Sequence, residues 1–237
     1  MIKIYGKNCI YEAIRAKAKL SEVFLLDNIL NKDKNIIDIL KKNGYKYTLL
    51  SKDKMDKEFT IANQGYAAYR EDYYVYDEAY LNTFSKEKGR VLILDGVQDP
   101  HNLGAILRSV DAFGFDLVIL PKNRSCSINS TVAHVSTGAI EWTKIMYVNS
   151  LLSAVSKLKN NGFWICGTDA SGTTKLNEID KSLKLAIIIG SEGFGMSKTL
   201  VKQSDYLITI PMIGHVNSLN ASVSTAIVLH ELMNINE

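Results

Sequence analysis

Three separated stretches of the sequence place polar and glycine residues where a buried strand ends or a helix begins. They are residues 99–114 (DPHNLGAILRSVDAFG), 187–196 (IIIGSEGFGM) and 208–229 (ITIPMIGHVNSLNASVSTAIVL). Backbone donors and acceptors at such positions have no partner within the helix or sheet, so they can form hydrogen bonds with a ligand. The three stretches therefore predict a binding or catalytic site, and the rest of the chain is typical of an ordinary fold around them.

Asn102 and Arg108 are the side chains of the first stretch that could act on a substrate. On a helix they would project roughly 240° from one another and would share no stripe. Asn102 would lie at the start of the helix, next to the loop that precedes it, while Arg108 would lie nearly two turns further along. An N-capping asparagine and a surface arginine are the alternative, and spacing alone favours it.

The second stretch contains a glycine-rich turn, G-S-E-G-F-G at residues 190–195, directly after a predicted buried strand. The missing side chains let a ligand approach the backbone. The turn is not a P-loop, because Met196 follows the last glycine where that motif requires lysine. It also departs from the G-x-G-x-x-G pattern of dinucleotide-binding folds, because Lys198 stands where the third glycine belongs.

The third stretch joins Pro211, which ends a strand, to a polar turn and then to a helix predicted over residues 221–234. Ser218 or Asn220 can cap that helix. Apolar residues lie around most of its circumference, so it should be buried on several sides. A single domain can hardly bury all of these apolar faces, and we therefore expect a helix–helix contact between two copies of the chain.

The elements that must position these stretches fall into two predicted domains joined by a linker over residues 76–88. Residues 1–75 alternate helix and strand signals and indicate a small α/β unit. We expect a helix capped by Asn8 over residues 9–19, a helix capped by Asp33, a short helix over 52–57, and strands over 22–26, 45–50 and 65–69.

The second predicted domain covers residues 89–237. It opens with VLILDGV at 91–97, a continuous apolar run typical of a strand buried on both faces of a parallel sheet. A helix opened by His101 or Asn102 should follow. Further helices are expected over 129–135 and 150–159, and further strands over 116–120, 163–168, 185–190 and 206–210. This alternation predicts a doubly wound α/β domain.

Composition limits the classes to which the chain can belong. Of its 237 residues, 46% are hydrophobic and 22% are charged, as in a soluble globular protein. No apolar run approaches the roughly 20 residues of a membrane span, and the first residues lack a signal-peptide stretch. Cys9, Cys126 and Cys166 are odd in number and widely spaced, so we expect neither disulfides nor a zinc site. A reducing cytoplasm is the expected location.

The basic residues are concentrated at the N-terminus. Residues 1–75 hold 14 Lys and Arg against 10 Asp and Glu, whereas residues 89–237 hold 12 of each. A polyanion such as RNA is compatible with this excess, although a solvated lysine-rich surface would explain it equally well. The four histidines lack the spacing of metal ligands, so we expect no metal site.

Taken in order, the three stretches resemble the motifs of the SpoU-type RNA ribose 2′-O-methyltransferases of the SPOUT superfamily. The matching residues are N-x-x-x-x-x-R at 102–108, G-S-E-G at 190–193, and I-P-M followed by S-L-N-x-S between 210 and 222. The resemblance covers essentially the whole chain, since residues 1–75 look like that family's ribosomal-protein-like RNA-binding domain.

The resemblance implies an α/β trefoil-knotted methyltransferase domain, S-adenosylmethionine as the methyl donor, and a homodimer whose two subunits both contribute to each site. The residues that match those holding S-adenosylmethionine are Gly190, Ile210 and Leu219. The residues that match the catalytic set are Asn102, Arg108, Glu192, Ser218 and Asn220.

The resemblance also implies the reaction, which is 2′-O-methylation of a ribose, most closely that of a guanosine in 23S rRNA, with neither DNA nor a membrane as a partner. A tRNA ribose 2′-O-methyltransferase and a noncatalytic RNA-binding protein are the alternatives. The role of Arg108 stays open, because it could be a base assisted by an RNA phosphate or a clamp on that phosphate.

Overall fold

The computed structural model describes residues 1–84, 87–191, 193–216 and 218–233. The chain forms two compact units. The first unit consists of Met1–Tyr73 and Ser127–Trp142, and the second unit consists of Tyr74–Cys126 and the chain from Thr143 onward. The sequence did not indicate that residues 127–142, which lie between two strands of the second unit, pack within the first.

The helices are α1 Lys7–Arg15, α2 Ile36–Lys42, α3 Lys52–Glu58, α4 Tyr80–Thr83, α5 Pro100–Ala112, α6 Ser130–Val135, α7 Leu151–Asn160, α8 Lys198–Gln203 and α9 Ala221–Leu232. The strands are β1 Ile2–Tyr5, β2 Leu20–Leu26, β3 Tyr47–Leu50, β4 Tyr66–Arg70, β5 Arg90–Asp95, β6 Leu117–Pro121, β7 Ile145–Val148, β8 Phe163–Thr168, β9 Thr174–Lys175, β10 Lys184–Gly190 and β11 Tyr206–Thr209. The sequence did not predict β1, β7, β9 or α8, since elements this short give little periodic signal.

The first unit is built on a four-stranded sheet in the order β1-β4-β2-β3. Strand β4 runs antiparallel to β1 and β2, and β2 runs parallel to β3. The core is formed by apolar residues of the sheet and of α1 and α2, including the fully buried Ile10, Val23 and Leu40. Helix α6 adds Ala133 to the same core.

Two helix caps predicted in the first unit are wrong. Asn8 lies inside α1, and α2 begins three residues after Asp33. The Asp33 carboxylate instead accepts hydrogen bonds from the hydroxyls of Tyr11 (2.6 Å) and Tyr66 (2.7 Å), with Lys7 Nζ at 3.3 Å. Burial opposes the charge of Asp33, but these hydrogen bonds outweigh it and lower its pKa. Asp33 therefore acts as a polar anchor of the core.

The second unit is built on a seven-stranded sheet in the order β7-β6-β5-β10-β8-β11-β9, in which every neighbouring pair is parallel. Central strands β5 and β10 are buried along most of their length, which explains their continuous apolar sequences. The carboxyl ends of β5, β8, β10 and β11 therefore meet at one edge of the sheet. The predicted α/β class is confirmed for both parts of the chain.

Helix α9 packs against α5 and is anchored at its end by a buried arginine. Arg90, at the start of β5, is 1% exposed. Its guanidinium donates to the carbonyl oxygens of Leu232 (2.9 Å), at the end of α9, and Leu183 (2.7 Å), just before β10. Further bonds reach the carbonyl oxygens of Gly89 and Lys181. Arg90 therefore ties the end of α9 to two central strands.

Candidate active site

Two asparagines at helix starts are joined by a direct hydrogen bond. Asn220 caps α9, and its Oδ1 accepts hydrogen bonds from the backbone N–H and the hydroxyl of Ser222 at 2.9 and 2.6 Å. Its Nδ2 donates to Oδ1 of Asn102 at 2.9 Å. Asn102 is buried in the first turn of α5, which is capped by Asp99 rather than by Asn102 itself. The capping role proposed for Asn220 and a role in a site are therefore compatible.

The glycine-rich turn closes tightly on the end of β10. The backbone N–H groups of Ser191 and Gly195 each donate to the other residue's carbonyl oxygen, at 3.1 and 3.0 Å. A Cβ atom at Gly190 would lie 2.2 Å from the carbonyl carbon of Gly195, a separation that no side chain tolerates. The backbone N–H of Ser197 donates to Oδ2 of Asp95 at 2.8 Å. The turn is thereby fixed against the ends of β10 and β5.

A first cavity of about 710 Å³ lies at the carboxyl ends of β8, β10 and β11. Its volume is within the roughly 300–1,000 Å³ of small-molecule sites. Three loops supply its lining, which includes Thr168, Asp169, Gly190, Ser191, Gly193, Ile210, Met212, Ser218, Leu219 and Asn220. At Gly190 and Gly193 the backbone itself forms the cavity wall, because glycine has no side chain.

A second cavity, of about 910 Å³, adjoins the first. Its lining includes Asp95, Gln98, Asn102, Asn123, Arg124, Ser150, Phe194 and Ser197. Ser191, Gly195 and Ala221 line both cavities. The hydrogen bond between Asn220 and Asn102 also joins one lining residue of each cavity. The two cavities therefore form a continuous recess around the starts of α5 and α9.

The structure brings together most of the residues that the sequence predicts for the site. The predicted residues that line the first cavity are Gly190, Ile210, Ser218, Leu219 and Asn220, and Asn102 lines the second. Arg108 is exposed on α5 and lines neither cavity, and its guanidinium has no hydrogen bond or ion pair with another residue of the described chain. Glu192 lies outside the described residues.

Sequence reasoning missed part of each cavity lining. Thr168 and Asp169 follow β8 and line the first cavity, while Asn123 and Arg124 follow β6 and line the second. A usable signal existed for the first pair, since polar residues directly after a buried parallel strand lie at the ligand-binding edge of such a sheet. The same signal existed for Asn123 and Arg124, which follow the buried parallel strand β6.

The cysteines of the chain are not reactive groups of the site. Cys9, Cys126 and Cys166 are buried and free. Burial raises the pKa of the Cys166 thiol to about 12 and also raises that of Cys126, so both stay protonated and weakly nucleophilic. The described residues contain no cluster of three or more His, Cys, Asp or Glu side chains that could hold a metal ion. No helix among them is long and apolar enough to cross a membrane.

Comparison with protein families matches both parts of the chain. Residues 89–230 match the SpoU rRNA methylase family, and residues 3–75 match the RNA 2′-O ribose methyltransferase substrate-binding family. This chain belongs to the SpoU rRNA methylase family. It is therefore an RNA 2′-O-ribose methyltransferase, with S-adenosylmethionine as its methyl donor, and carries a substrate-binding domain. The family predicted from the three stretches is confirmed.

Individual proteins agree with this assignment. A TrmH family tRNA/rRNA methyltransferase of Staphylococcus saprophyticus is 43% identical over an alignment of 237 positions, which covers 98% of this chain and 94% of that protein. The SpoU methyltransferase AviRb from Streptomyces viridochromogenes, solved with AdoMet, matches with a TM-score of 0.83 at 20% identity, over 97% of this chain and 88% of that one. An AdoMet-bound rRNA methyltransferase from Sinorhizobium meliloti matches with a TM-score of 0.80 at 20% identity, over 98% of this chain and 86% of that one. At such identities the two structures support the fold.

Proposed function

We propose that this chain, as a homodimer, transfers the methyl group of S-adenosylmethionine to the ribose 2′-hydroxyl of a guanosine in 23S rRNA. The first cavity holds the methyl donor and the second cavity holds the nucleotide. The hydrogen bond between Asn220 and Asn102 carries the proposal, because it lies where the two cavities meet and where the methyl group and the hydroxyl must be brought together.

The lining of the first cavity suits S-adenosylmethionine. Gly190 leaves backbone groups open to the ligand, and the apolar side chains of Ile210 and Leu219 can cover its flat base. Thr168 and Asp169 offer oxygen acceptors for its hydroxyl and amino groups, and the carboxylate favours a cationic ligand. When bound, S-adenosylmethionine supplies a methyl group that the positive charge of its sulfonium already activates.

The asparagine pair and its neighbour serve to position the ribose. Because the methyl group is activated by its donor, much of the rate acceleration can come from holding the 2′-oxygen at attack distance in the correct orientation. The amides of Asn102 and Asn220 and the hydroxyl of Ser218 are hydrogen-bonding groups at the required place. Glu192 is assigned the role of an acceptor that orients the substrate.

Arg108 is assigned to the site of the partner subunit. It projects from α5 outside both cavities of its own chain, so a catalytic role requires a second copy. A guanidinium keeps its proton in proteins and is a poor base unless a neighbour shifts the proton equilibrium. It therefore acts either as a base assisted by an RNA phosphate or as a clamp on that phosphate while the 2′-hydroxyl proton passes to solvent.

Exposed apolar side chains on α9 and in the preceding loop support the homodimer. Val223 is 48% exposed and Ile227, one turn later on the same face, is 39% exposed. Ile213 and Val216 in the loop are also largely exposed. Sedimentation of the wild type should show a dimer, and Ile227→Asp should shift the protein toward a monomer with lower activity. A folded, fully active wild-type monomer at micromolar concentration would contradict the dimeric site.

Mapping ribose methylations in 23S rRNA and tRNA from cells with and without the gene tests the substrate. Loss of one 2′-O-methylguanosine from 23S rRNA supports the proposal. Loss of a methylated ribose from tRNA alone would replace rRNA by tRNA as the substrate. A protein that binds RNA but gives no heat on titration with S-adenosylmethionine would be a noncatalytic RNA-binding protein.

A further inference from the structure

Phe194 presents a nearly unshielded aromatic ring on a closed backbone turn. Its side chain is 95% exposed and lies between Gly193 and Gly195, which have φ angles of 84° and 66°. The reciprocal backbone hydrogen bonds between Ser191 and Gly195 close the turn beneath it. An exposed aromatic ring on a constrained turn presents a flat apolar face whose burial by a ligand is favourable. This favours a ligand that covers the ring.

The surroundings of Phe194 indicate the chemistry of that ligand. The ring lines the second cavity together with the amides of Gln98, Asn102 and Asn123 and the guanidinium of Arg124. Arg124 is exposed and has a φ of 62°, in the left-handed region that residues other than glycine seldom adopt. A flat apolar ring, amides and one cation match the base face, the base edge and the phosphate of a nucleotide. The two carboxylates of the lining, Asp95 and Asp99, accept hydrogen bonds from the backbone N–H groups of Ser197 and His101.

We propose that Phe194 is the platform on which the base of the methylated nucleotide stacks, and that Arg124 binds a phosphate of the same RNA strand. The inference rests on the proposed function, since it places the target nucleotide in the second cavity. A base offers its whole face to an aromatic ring only when it is unstacked from its neighbours. The substrate class is therefore an unpaired nucleotide of a loop, bulge or end, rather than one inside a continuous helix.

The polar residues that line the second cavity favour RNA, rather than a second protein chain, as the molecule that buries the ring of Phe194. The centre of a protein–protein interface is depleted in charged residues and is more apolar than its rim. Phe194 instead shares its cavity with Asp95, Asp99 and Arg124 and with several amides. The apolar surface suited to a second copy lies on α9, whose exposed Val223 and Ile227 do not line this cavity.

Kinetic comparison of side chains at position 194 tests the stacking role. Wild type, Phe194→Leu and Phe194→Trp are assayed for transfer of labelled methyl groups to total RNA from a strain that lacks the gene. We expect Phe194→Leu to lower kcat/KM for RNA by about 5- to 150-fold, the range of base stacking on an aromatic ring. Phe194→Trp should retain at least half of the wild-type value, because it keeps the flat ring. The Kd for S-adenosylmethionine should change less than twofold in both variants.

A matched pair of cation variants tests the phosphate contact. Arg124→Gln should weaken RNA binding and reduce the slope of its salt dependence, because one phosphate contact is lost. Lys122→Gln removes the same charge two residues away, from an exposed side chain that does not line the cavity, and should change RNA affinity less than twofold. Equal effects of the two substitutions would show only a general loss of positive charge and would refute the role of Arg124.

A fluorescence titration separates this inference from the proposed function. Adding the same RNA to Phe194→Trp should quench its emission beyond the change in wild type, whose half-exposed Trp142 and Trp164 supply the baseline. Quenching without methyl transfer by the wild type would retain the stacking platform and overturn the proposed function. Methyl transfer by Phe194→Leu at the wild-type kcat/KM, or an absence of added quenching, would overturn the platform. Dissociation of Phe194→Leu into monomers would assign the ring to the dimer contact instead.

Discussion

The hydrogen bond between Asn220 and Asn102 should be essential for turnover while contributing little to stability. Asn220→Asp keeps the Oδ1 acceptor that caps α9, but it places an oxygen where Nδ2 now donates to Asn102 Oδ1 at 2.9 Å. Two facing acceptors repel, so either the contact opens or the Asn102 amide turns over. The first outcome displaces Asn102 from the junction of the two cavities, and the second reverses the donor and acceptor that its amide presents there.

The magnitudes follow from what each substitution removes. Asp and Asn are equally good helix caps, so Asn220→Asp should leave the free energy of unfolding within about 0.5 kcal/mol of wild type. Asn220→Ala loses the cap and should cost about 1 kcal/mol, or about 2–4 °C in Tm for a unit of this size. Misplacing a positioning group by about 1 Å can cost about 10²-fold in rate, and we expect that loss of single-turnover rate in both variants.

The assay combines thermal unfolding with single-turnover methylation of RNA from a strain that lacks the gene. Asn129→Ala is the matched control, since Asn129 caps α6 by accepting from the backbone N–H of Val132 at 3.0 Å and lines neither cavity. It should lower Tm as Asn220→Ala does, with the single-turnover rate unchanged. If Asn220→Asp methylates within twofold of wild type at equal stability, the bond to Asn102 has no part in positioning and the assignment of the pair is wrong.

Three further substitutions test the backbone, the anchor and the arginine of the site. Gly190→Ala should abolish detectable S-adenosylmethionine binding by calorimetry, because its Cβ would collide with the backbone of Gly195. Gly162→Ala, at a positive φ with open space around it, is the control and should leave that binding intact. Arg90→Met should lower the free energy of unfolding in denaturant by at least about 3 kcal/mol, since several buried carbonyl oxygens lose their donor; a loss under about 1 kcal/mol would contradict the anchoring role. Arg108→Ala should reduce single-turnover methylation by at least about 10²-fold and change stability by less than about 0.5 kcal/mol, because its side chain is exposed. An unchanged rate would remove Arg108 from the catalytic set.

The sequence predicted the parts of the fold that depend on local pattern. The strand expected over residues 163–168 is observed as Phe163–Thr168, and the strand expected over 185–190 begins one residue earlier, at Lys184. Both are continuous apolar runs, as parallel strands buried on two faces must be. Because parallel strands share a carboxyl edge, the three conspicuous stretches had to converge, and five of the predicted residues line one cavity.

Contacts between distant parts of the chain could not be predicted in the same way. The guanidinium of Arg70 donates to both carboxylate oxygens of Glu141, and the Cys9 thiol donates to the carbonyl oxygen of Ala133 at 3.2 Å. These bonds place residues 127–142 in the first unit, yet no periodic pattern within that segment distinguishes it from the second. Asp33 was misassigned for the same reason, because its hydroxyl partners are 22 and 33 residues away.

The two cavities also differ in how much the sequence reveals about them, for a physical reason. The first relies on backbone groups, and backbone access requires glycine at a position such as Gly190, where a Cβ atom has no room. Such a requirement can be recognised in the sequence as a glycine. The second cavity is lined by exposed side chains such as Phe194 and Arg124, and core packing does not restrict the identity of an exposed side chain. Substitutions there can therefore change RNA recognition while methyl-donor binding and stability stay the same.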